Sequence, residues 1–515
     1  LVVSGGPRLA TDPLPPPPDP RWELGSQGDP AEVSALTREL NLPAPMCRIL
    51  AARGLGSPGD ARAFLRPRLE HLHPPESLQD GERAAGRILA AIAAGETIFI
   101  HGDYDVDGVC STALLTRVLR RLGGRVVPFV PHRMRDGYDL GPTGVEEART
   151  SGATLLVTVD CGSRAVEAVR AAGESGMDVI VTDHHMPGEE IPEAFAFVNP
   201  HRSDATYPNA HLCGTGVAYK LAQLVVRDSP ETDPALLVEL DLVALATVAD
   251  LVPLEGENRT LVRYGLKVLA EGGRPGLKAL LTATGLWGKE ISAGRVGFVL
   301  GPRLNAAGRV GETRMALDLL LTEDPTEART LAEALERDNG IRQEEDRRTL
   351  EEALEHLAGD YDPETDLGVV VAGEGWHPGV IGIVASRIVE RIHRPSVVVS
   401  IDGAMARGSA RSIPGFDLLE GVTACAPHLQ RFGGHRQAAG MDLRTEDIQE
   451  FREAFRREAR ARLSHDDQLR PVIRGDILLD VEEISPELVR YLTYMGPVGI
   501  RNRRPVFFAR AVAVG

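Results

Sequence analysis

Lysine is nearly missing from this chain. Of the 57 lysines and arginines in its 515 residues, only Lys220, Lys267, Lys278 and Lys289 are lysines. The positive charge therefore sits on guanidinium groups, which suit bidentate contact with phosphate. No stretch approaches the roughly 18 uninterrupted apolar residues of a membrane-spanning helix, so no membrane association is expected. No basic-then-apolar leader opens the chain, which argues against secretion. Cysteine is scarce: there are five, Cys47, Cys110, Cys161, Cys213 and Cys425, and no Cys-x-x-Cys pair. That fits a reducing cytoplasm, disfavours a thiolate zinc site and leaves the cysteines as small buried hydrophobes. An excess of positive charge is lacking too. The formal net charge is −17, which taken alone argues against a nucleic-acid partner. Bound cations would offset part of it, and a basic groove on an acidic body stays open.

What is present is acid and imidazole gathered at the ends of apolar runs. Thr97-Ile98-Phe99-Ile100-His101 is β-branched and strand-like, and Asp103-Tyr104-Asp105-Val106-Asp107-Gly108 follows it. Carboxylates so dense repel one another, and cations are the cheapest way to hold them together. An EF-hand also begins Asp-x-Asp-x-Asp-Gly. Its twelfth position needs a bidentate Glu, here Leu114, and its loop is entered from a helix rather than a strand. The plain alternative is a polar turn that merely ends a strand. Recurrence weakens it. Thr154–Val159 runs into Asp160-Cys161-Gly162, Asp178–Thr182 runs into Asp183-His184-His185, and the helical stretch Leu236–Ala249 ends in Asp250. In open α/β sheets the strand carboxyl ends line the ligand crevice. One edge would collect His101, Asp105, Asp107, Asp160, Asp183, His184 and His185.

The length suffices for two to four domains. Residues 1–30, with Pro15-Pro16-Pro17-Pro18, read as an extended, loosely ordered arm. Short helices are expected over Ala44–Arg53 and Arg83–Ala94. From about 96 to 200, strands alternate with helices, the pattern of a parallel sheet. The charged segment 323–358 reads as a connecting helix, broken near Asn339-Gly340. A second α/β unit follows over 359–465, with strands at Leu367–Ala372 and Ser396–Ile401 and a helix at Gly379–Ile392. Residues 466–515 carry β-like runs, Val472–Leu479 and Val506–Val514. They are few for a complete barrel, so an incomplete one is expected.

The ordered motifs His101-Gly102-Asp103-Tyr104-Asp105-Val106-Asp107-Gly108, Val159-Asp160-Cys161, Asp183-His184-His185 and Ala249-Asp250 resemble those of the DHH phosphoesterase superfamily. Gly433-Gly434-His435 resembles the glycine-glycine-histidine motif of its accessory DHHA1 domain. Gly301–Arg309, Gly375–Arg387 and Met495–Phe507 narrow the likeness to the RecJ-type single-strand-specific 5′→3′ DNA exonucleases. That resemblance implies an α/β fold. A parallel-sheet DHH catalytic domain (31–322) is joined by the long helix to a smaller α/β DHHA1-type substrate-binding domain. A β-rich, OB-like segment (466–515) comes last.

The resemblance also implies roles. His101, Asp105 and Asp160 would surround one ion, and Asp107, Asp160, His184 and Asp250 a second, with Asp160 bridging. Mixed imidazole and carboxylate ligands suit Mn²⁺, with Mg²⁺ as substitute. Asp103 would orient His101, and Asp183 would fix an imidazole tautomer. His185 would face the scissile phosphate, as electrostatic stabiliser or proton donor, with a third metal ligand as its alternative. Arg407, Ser409 and Arg411 in the segment Arg407–Ser412 offer a phosphate pocket. Arg303, Asn305 and Arg309 have similar chemistry in a Gly/Pro-bounded loop, and His435 would reach the scissile region from the accessory domain. Trp376 reads as core rather than as a base-stacking site. The implied partner is single-stranded DNA, with single-strand-binding protein and a RecQ-type helicase as protein partners and a monomer as the working form. Two rivals remain: a smaller-substrate DHH phosphoesterase acting on short oligoribonucleotides or cyclic dinucleotides, and a non-catalytic metal-stabilised DNA-binding scaffold. The first has no use for a third domain. The second is disfavoured because every expected ligand position is filled.

Overall fold

The computed structural model describes residues 14–509 except Met134, residues 230–232 and Gly311. The chain forms two compact units. One takes residues 26–339 and the stretch from Asp476 onward; the other takes the stretch up to Gly25 and residues 340–475. The N-terminal arm is less loose than its composition suggests. Residues 1–13 lie outside the described residues. Beyond them, Leu14 is buried among Trp376, Ile381 and Val384, and Arg391 donates to the carbonyls of Leu14 and Pro15, both at 2.8 Å. Strand β1 (Arg21–Leu24) pairs in parallel with Val472–Gly475. A proline-rich extended chain leaves its carbonyls free, and here an arginine and a strand edge use them.

In the larger unit, β2 (Thr97–Gly102), β3 (Arg125–Phe129), β4 (Leu155–Val159), β5 (Asp178–Thr182) and β6 (Ala196–Val198) form one sheet in the order β3-β2-β4-β5-β6. All four pairings are parallel. The strands are continuous apolar runs because both faces are covered; all five residues of β4 are buried. The chain moves outward from β2 to β3, then crosses back to β4. The switch point therefore lies between β2 and β4, where ligands bind in such sheets. The helix Val106–Arg121 packs on this sheet and against the helices Gly214–Val226 and Leu240–Ala249. The last of these is buried over Leu240–Thr247 and apolar apart from Asp241, which pairs with Arg274 at 3.0 Å, and Thr247.

The helices Pro30–Leu40 and Ala44–Ala52 share a core with the C-terminal stretch, through Leu36, Met46 and Leu50 against Ile477, Leu488 and Met495. Arg259 fastens this junction from within. It is 1% exposed and bonds no carboxylate among the described residues. Its guanidinium donates to the carbonyls of Phe64 (3.0 Å), Tyr494 (2.9 Å), Met495 (3.0 Å) and Pro497 (3.2 Å). It also lies 4.0 Å over the Phe64 ring. Burial, aided by Arg263 and Arg53, pushes its pKa down to about 9. Arg259→Met is expected to destabilise the protein by on the order of 3 kcal/mol, because buried carbonyls lose their donors. An unchanged urea midpoint would show that the clamp contributes nothing.

The long helix runs unbroken over Pro325–Asp360, so the break expected at Asn339-Gly340 does not occur. One glycine costs a helix about 1 kcal/mol, and the flanking turns carry Arg–Glu pairs such as Arg347–Glu351 and Arg348–Glu352. In the smaller unit β7 (Val369–Glu374), β8 (Ser396–Asp402), β9 (Met405–Arg411), β10 (Arg431–His435) and β11 (Ala438–Arg444) form a mixed sheet, β10-β11-β9-β8-β7. The segments Arg407–Ser412 and Gly433–His435 are thus mostly strand. Their glycines and arginines lower strand propensity, but β9 is ordered by ladders on both sides. Gly408 is needed there, since a Cβ would lie 2.7 Å from Met441 Cγ. The loop expected around Arg303 is likewise a helix, Gly301–Val310. That helix runs on directly from the π-helical turn Val296–Leu300, whose wider bonding accommodates the missing N–H of Pro302. Of the β-like runs near the C-terminus, Val472–Gly475 and Ile477–Leu478 form strands, the latter paired with Phe507–Phe508; residues 510–514 lie outside the described residues. Among the described residues no helix is long and apolar enough to cross a membrane.

Candidate metal centre and substrate contacts

Each side chain of the cluster is positioned by a strand end or a helix start. Asp105 caps the helix Val106–Arg121, its Oδ1 accepting from the N–H groups of Asp107 (2.9 Å) and Gly108 (3.2 Å). A carboxylate is favoured there by the helix dipole. Gly108 serves close approach, because a Cβ would fall 2.4 Å from the Asp103 backbone. Asp107 faces the start of the helix Gly214–Val226. Gly214 N–H donates to its Oδ2 at 2.7 Å, while Thr215 donates to Oδ1 through N–H (2.7 Å) and hydroxyl (2.6 Å). Asp160 follows β4 in a left-handed backbone, φ 62°. A Cβ on Gly214 would sit 2.5 Å from Asp160 Oδ1, so that glycine leaves room for the carboxylate.

Asp183, after β5, is fully engaged. Its Oδ1 accepts from the N–H groups of His184 (2.7 Å) and His185 (3.1 Å) and lies 2.8 Å from His185 Nδ1. Its Oδ2 accepts from Ser163 N–H at 3.0 Å. With Nδ1 committed, Nε2 is the free nitrogen of His185. Asn199, which the sequence reading did not single out, donates to His185 O (2.8 Å) and Ser163 Oγ (2.7 Å). It directly follows β6, so the strand-end rule that found the other residues reaches it too.

Among the described residues, three groups offer potential ligand atoms lying within 4.8 Å of one another: Asp107, His184 and Asp250; Asp103, Asp105 and Asp160; and Asp160, His184 and His185. His184 Nε2 is 3.1 Å from Asp160 Oδ1 and 3.7 Å from both Asp107 Oδ2 and Asp250 Oδ2. Asp160 Oδ1, His184 Nε2 and Asp103 Oδ1 are nevertheless buried without a hydrogen-bond partner among the described residues. His101 is in none of the three groups. Its Nδ1 is 3.6 Å from Cys161 Sγ, its ring lies 5.3 Å from that of Phe129, and a Cβ on Gly144 would meet its Nε2 at 2.5 Å. Asp103, given an orienting part in the sequence reading, lies inside a group.

The electrostatics follow from crowding. Burial, then the charges of Asp107, Asp105 and Asp250, push the Asp160 carboxyl well above its usual range. Burial raises Asp103 and Asp105 too, aided by the charge of Asp105 and of Asp107 respectively, and Asp250 reaches about 8. Burial holds His101 down at about 4 and lowers His184. Burial would raise Asp183, but the hydrogen bond and charge of His185 outweigh it and keep it low. For His185 burial is likewise outweighed by Asp183, giving about 9.

The expected substrate contacts are distributed over both units. In the larger one, Arg303 is held by Glu336, with Nη2 at 3.0 Å from Oε1, and by Val299 O at 2.8 Å. Asn305 and Arg309 are half-buried on the same helix. In the smaller one, Arg411 donates to Ser409 Oγ (3.2 Å) and Ala410 O (2.8 Å). Both side chains lie against the first turn of the helix Ile381–Ile392. A Cβ on Gly382 would be 2.9 Å from Ser409 Oγ and 3.0 Å from Arg411 Nη2. Guanidinium, hydroxyl and helix start together have the chemistry of an anion site. Arg407 donates to Asp442 Oδ1 at 3.2 Å. His435 is exposed on β10. Trp376 is 2% exposed, and its indole donates to Glu352 at 2.7 Å, which makes it core.

Both units resemble known protein families. The model of the DHH family, N-terminal domain, matches residues 97–247, and that of the DHHA1 domain matches residues 366–461. The single-stranded-DNA-specific exonuclease RecJ of Bacillus subtilis (strain 168) is 39% identical over 487 residues, 94% of this chain and 61% of that protein. The chain thus spans less than two thirds of that relative. The enzyme of the same name from Escherichia coli (strain K12) is 37% identical over 507 residues, 95% of this chain and 85% of that one. The one from Dickeya dadantii (strain 3937) is 39% identical over 494 residues, covering 91% and 84%. Among solved structures, RecJ from Thermus thermophilus in complex with Mn²⁺ has a TM-score of 0.82 at 32% identity, covering 95% of this chain and 69% of that one. Exonuclease RecJ bound to manganese has a TM-score of 0.66 at 36% identity, covering 76% and 96%.

Proposed function

The chain belongs to the RecJ family of single-stranded-DNA-specific exonucleases, and on that premise we propose that it hydrolyses single-stranded DNA from the 5′ end. It would release 5′-mononucleotides, in DNA repair and recombination. The observation that carries the reading is the cluster at the β2–β4 switch point, where Asp160 Oδ1 and His184 Nε2 are buried with no hydrogen-bond partner among the described residues. Orphaned ligand atoms of this kind amid repelling carboxylates fit a divalent cation. Asp107, Asp160, His184 and Asp250 would hold one ion, and Asp105 and Asp160 with His101 a second; Asp103 stands ready beside them. Imidazole among the ligands favours Mn²⁺, with Mg²⁺ as substitute. When bound, such ions supply Lewis-acid charge stabilisation and a nucleophile at neutral pH.

The remaining residues have separable tasks. Asp183 holds His185 by Nδ1, so that the other nitrogen faces the phosphate as a charged donor. Arg411 and Ser409, at the start of the helix Ile381–Ile392, would take a terminal phosphate. Arg407, Arg303, Asn305, Arg309 and His435 would contact the strand further along. Single-strand-binding protein and a RecQ-type helicase are the protein partners this reading implies, with a monomer as the working form.

Incubating 5′-labelled and 3′-labelled single strands with Mn²⁺ tests the reading. The 5′ label should appear at once as mononucleotide, while the 3′-labelled strand shortens stepwise. The opposite pattern would reverse the polarity, and no cleavage of either would remove the function. Binding should weaken with salt despite the negative net charge, because guanidinium–phosphate contacts release counterions. Arg411→Ala is expected to weaken single-strand binding and to flatten that salt dependence by about one phosphate contact. An unchanged slope and affinity would move the terminal-phosphate site elsewhere.

A further inference from the structure

Tyr138 stands beside the cluster in a turn built to hold it there. It lies between Gly137 (φ 85°) and Asp139 (φ 74°). A left-handed backbone is costly at a non-glycine residue and persists only where the surroundings impose it. At Asp139 they do. Its Oδ1 accepts from Leu140 N–H at 2.8 Å and from Gly162 N–H at 2.6 Å. Gly162 is two residues past Asp160, so the turn is pinned to the loop that carries the central carboxylate of the cluster.

The tyrosine ring is placed accordingly. It meets His185 edge-on, with centroids 5.7 Å apart at 76°, and Tyr104 at 6.4 Å and 72°. Arg133 lies 4.8 Å over the Tyr104 ring, which closes that side with a cation. Tyr138 is 48% exposed, and its hydroxyl makes no hydrogen bond among the described residues. Burial and the charges of Asp183, Asp160 and Asp103 push its pKa upward, so the phenol keeps its proton. A phenol beside the His185 ring, with no protein acceptor for its hydroxyl, can exchange water for a ligand oxygen. A phosphate oxygen brought in on a cation can take the bond.

We propose that Tyr138 is a further substrate-contacting residue, donating its hydroxyl hydrogen to a non-bridging oxygen of the phosphate under attack, with Asp139 as its positioning residue. The proposal rests on the reading of this cluster as a phosphodiester-cleaving site. It adds a neutral donor to the charged one supplied by His185.

Tyr138→Phe removes the hydroxyl and keeps the ring. With Mn²⁺ and a single-stranded oligothymidylate, kcat is expected to fall about 10- to 100-fold, the scale of one hydrogen bond to a charged group. KM, thermal stability and manganese stoichiometry should hold. Asp139→Ala should lower kcat similarly, and the double variant should lose little more, since both act through one hydroxyl. A Tyr138→Phe enzyme with wild-type kcat overturns the donor role. Additive losses overturn the positioning role of Asp139. A wild-type protein that fails to cut the oligonucleotide removes the exonuclease reading and this inference with it, whereas a wild type that cuts beside an unaffected variant removes this inference alone.

Discussion

Asp160→Asn should abolish turnover and at the same time make the metal-free protein harder to unfold. The two effects have one cause. Asp160 is 2% exposed, sits among Asp105, Asp107 and Asp250, and has its carboxyl pushed far up by burial and by those charges. Its ionised form is therefore a liability to the fold without cations. Asparagine has the same shape, tolerates the left-handed backbone that this position demands, and carries no charge. The metal-free variant should melt above the metal-free wild type. Added Mn²⁺ stabilises whatever binds it in the folded state, so the order should reverse once manganese is present. The carboxylate belongs to both proposed ion sites. Its loss should lower kcat by on the order of 10³-fold or more, the equivalent of several kcal/mol of charge stabilisation. Paired melting curves with and without Mn²⁺, and a turnover assay, decide the matter. A variant that takes up manganese like the wild type would show that Asp160 is not the shared ligand.

His185→Ala should reduce kcat by roughly 10²–10³-fold, the scale of losing one transition-state stabiliser, and leave manganese stoichiometry unchanged. The structure separates His185 from its neighbour on chemical grounds. The two rings are 4.4 Å apart, yet Asp183 bonds only that of His185, at 2.8 Å. That bond holds its pKa up at about 9, while His184 is kept low by burial. A protonated imidazole has no lone pair for a metal; a neutral one has. Asp183→Asn should reproduce most of the loss, because it releases the ring from its orientation and its charge. Disappearance of one manganese equivalent in His185→Ala would instead make it a ligand, a reading that the 4.0 Å approach of its Nδ1 to Asp160 Oδ1 keeps available for test.

The parts of this site that a sequence reveals are those encoded by contiguous pattern. The apolar runs ending at His101, Asp160 and Asp183 predict β2, β4 and β5, and parallel pairing then brings their ends to one edge. What escaped depends on distant chain. Asp139 looks like an ordinary turn residue until the fold sets it against Gly162. The strands β9 and β10 are rich in glycine and arginine, and only their ladders with β8 and β11 make them strands. Gly301-Pro302 reads as a loop by composition, whereas the π-helical turn Val296–Leu300 just before it takes up the missing N–H of the proline. Asn339-Gly340 reads as a break, but a local cost of about 1 kcal/mol is small beside the continuity of a helix 36 residues long.

The pairing of β1 with Val472–Gly475 also bears on how the protein is made. Glu23 and Arg474, which join across it, are 451 residues apart in sequence. At the usual ~5–20 residues per second of synthesis, the N-terminal strand emerges roughly 20–90 s before its partner exists. For that interval its edge is an unsatisfied template for any passing strand. The smaller unit can be finished only after the whole of residues 26–339 has been translated. A chaperone that shields residues 14–25 on the ribosome should therefore raise the yield of native chain, and a fragment beginning at Gly340 would lack one of the two strands of this small sheet from birth.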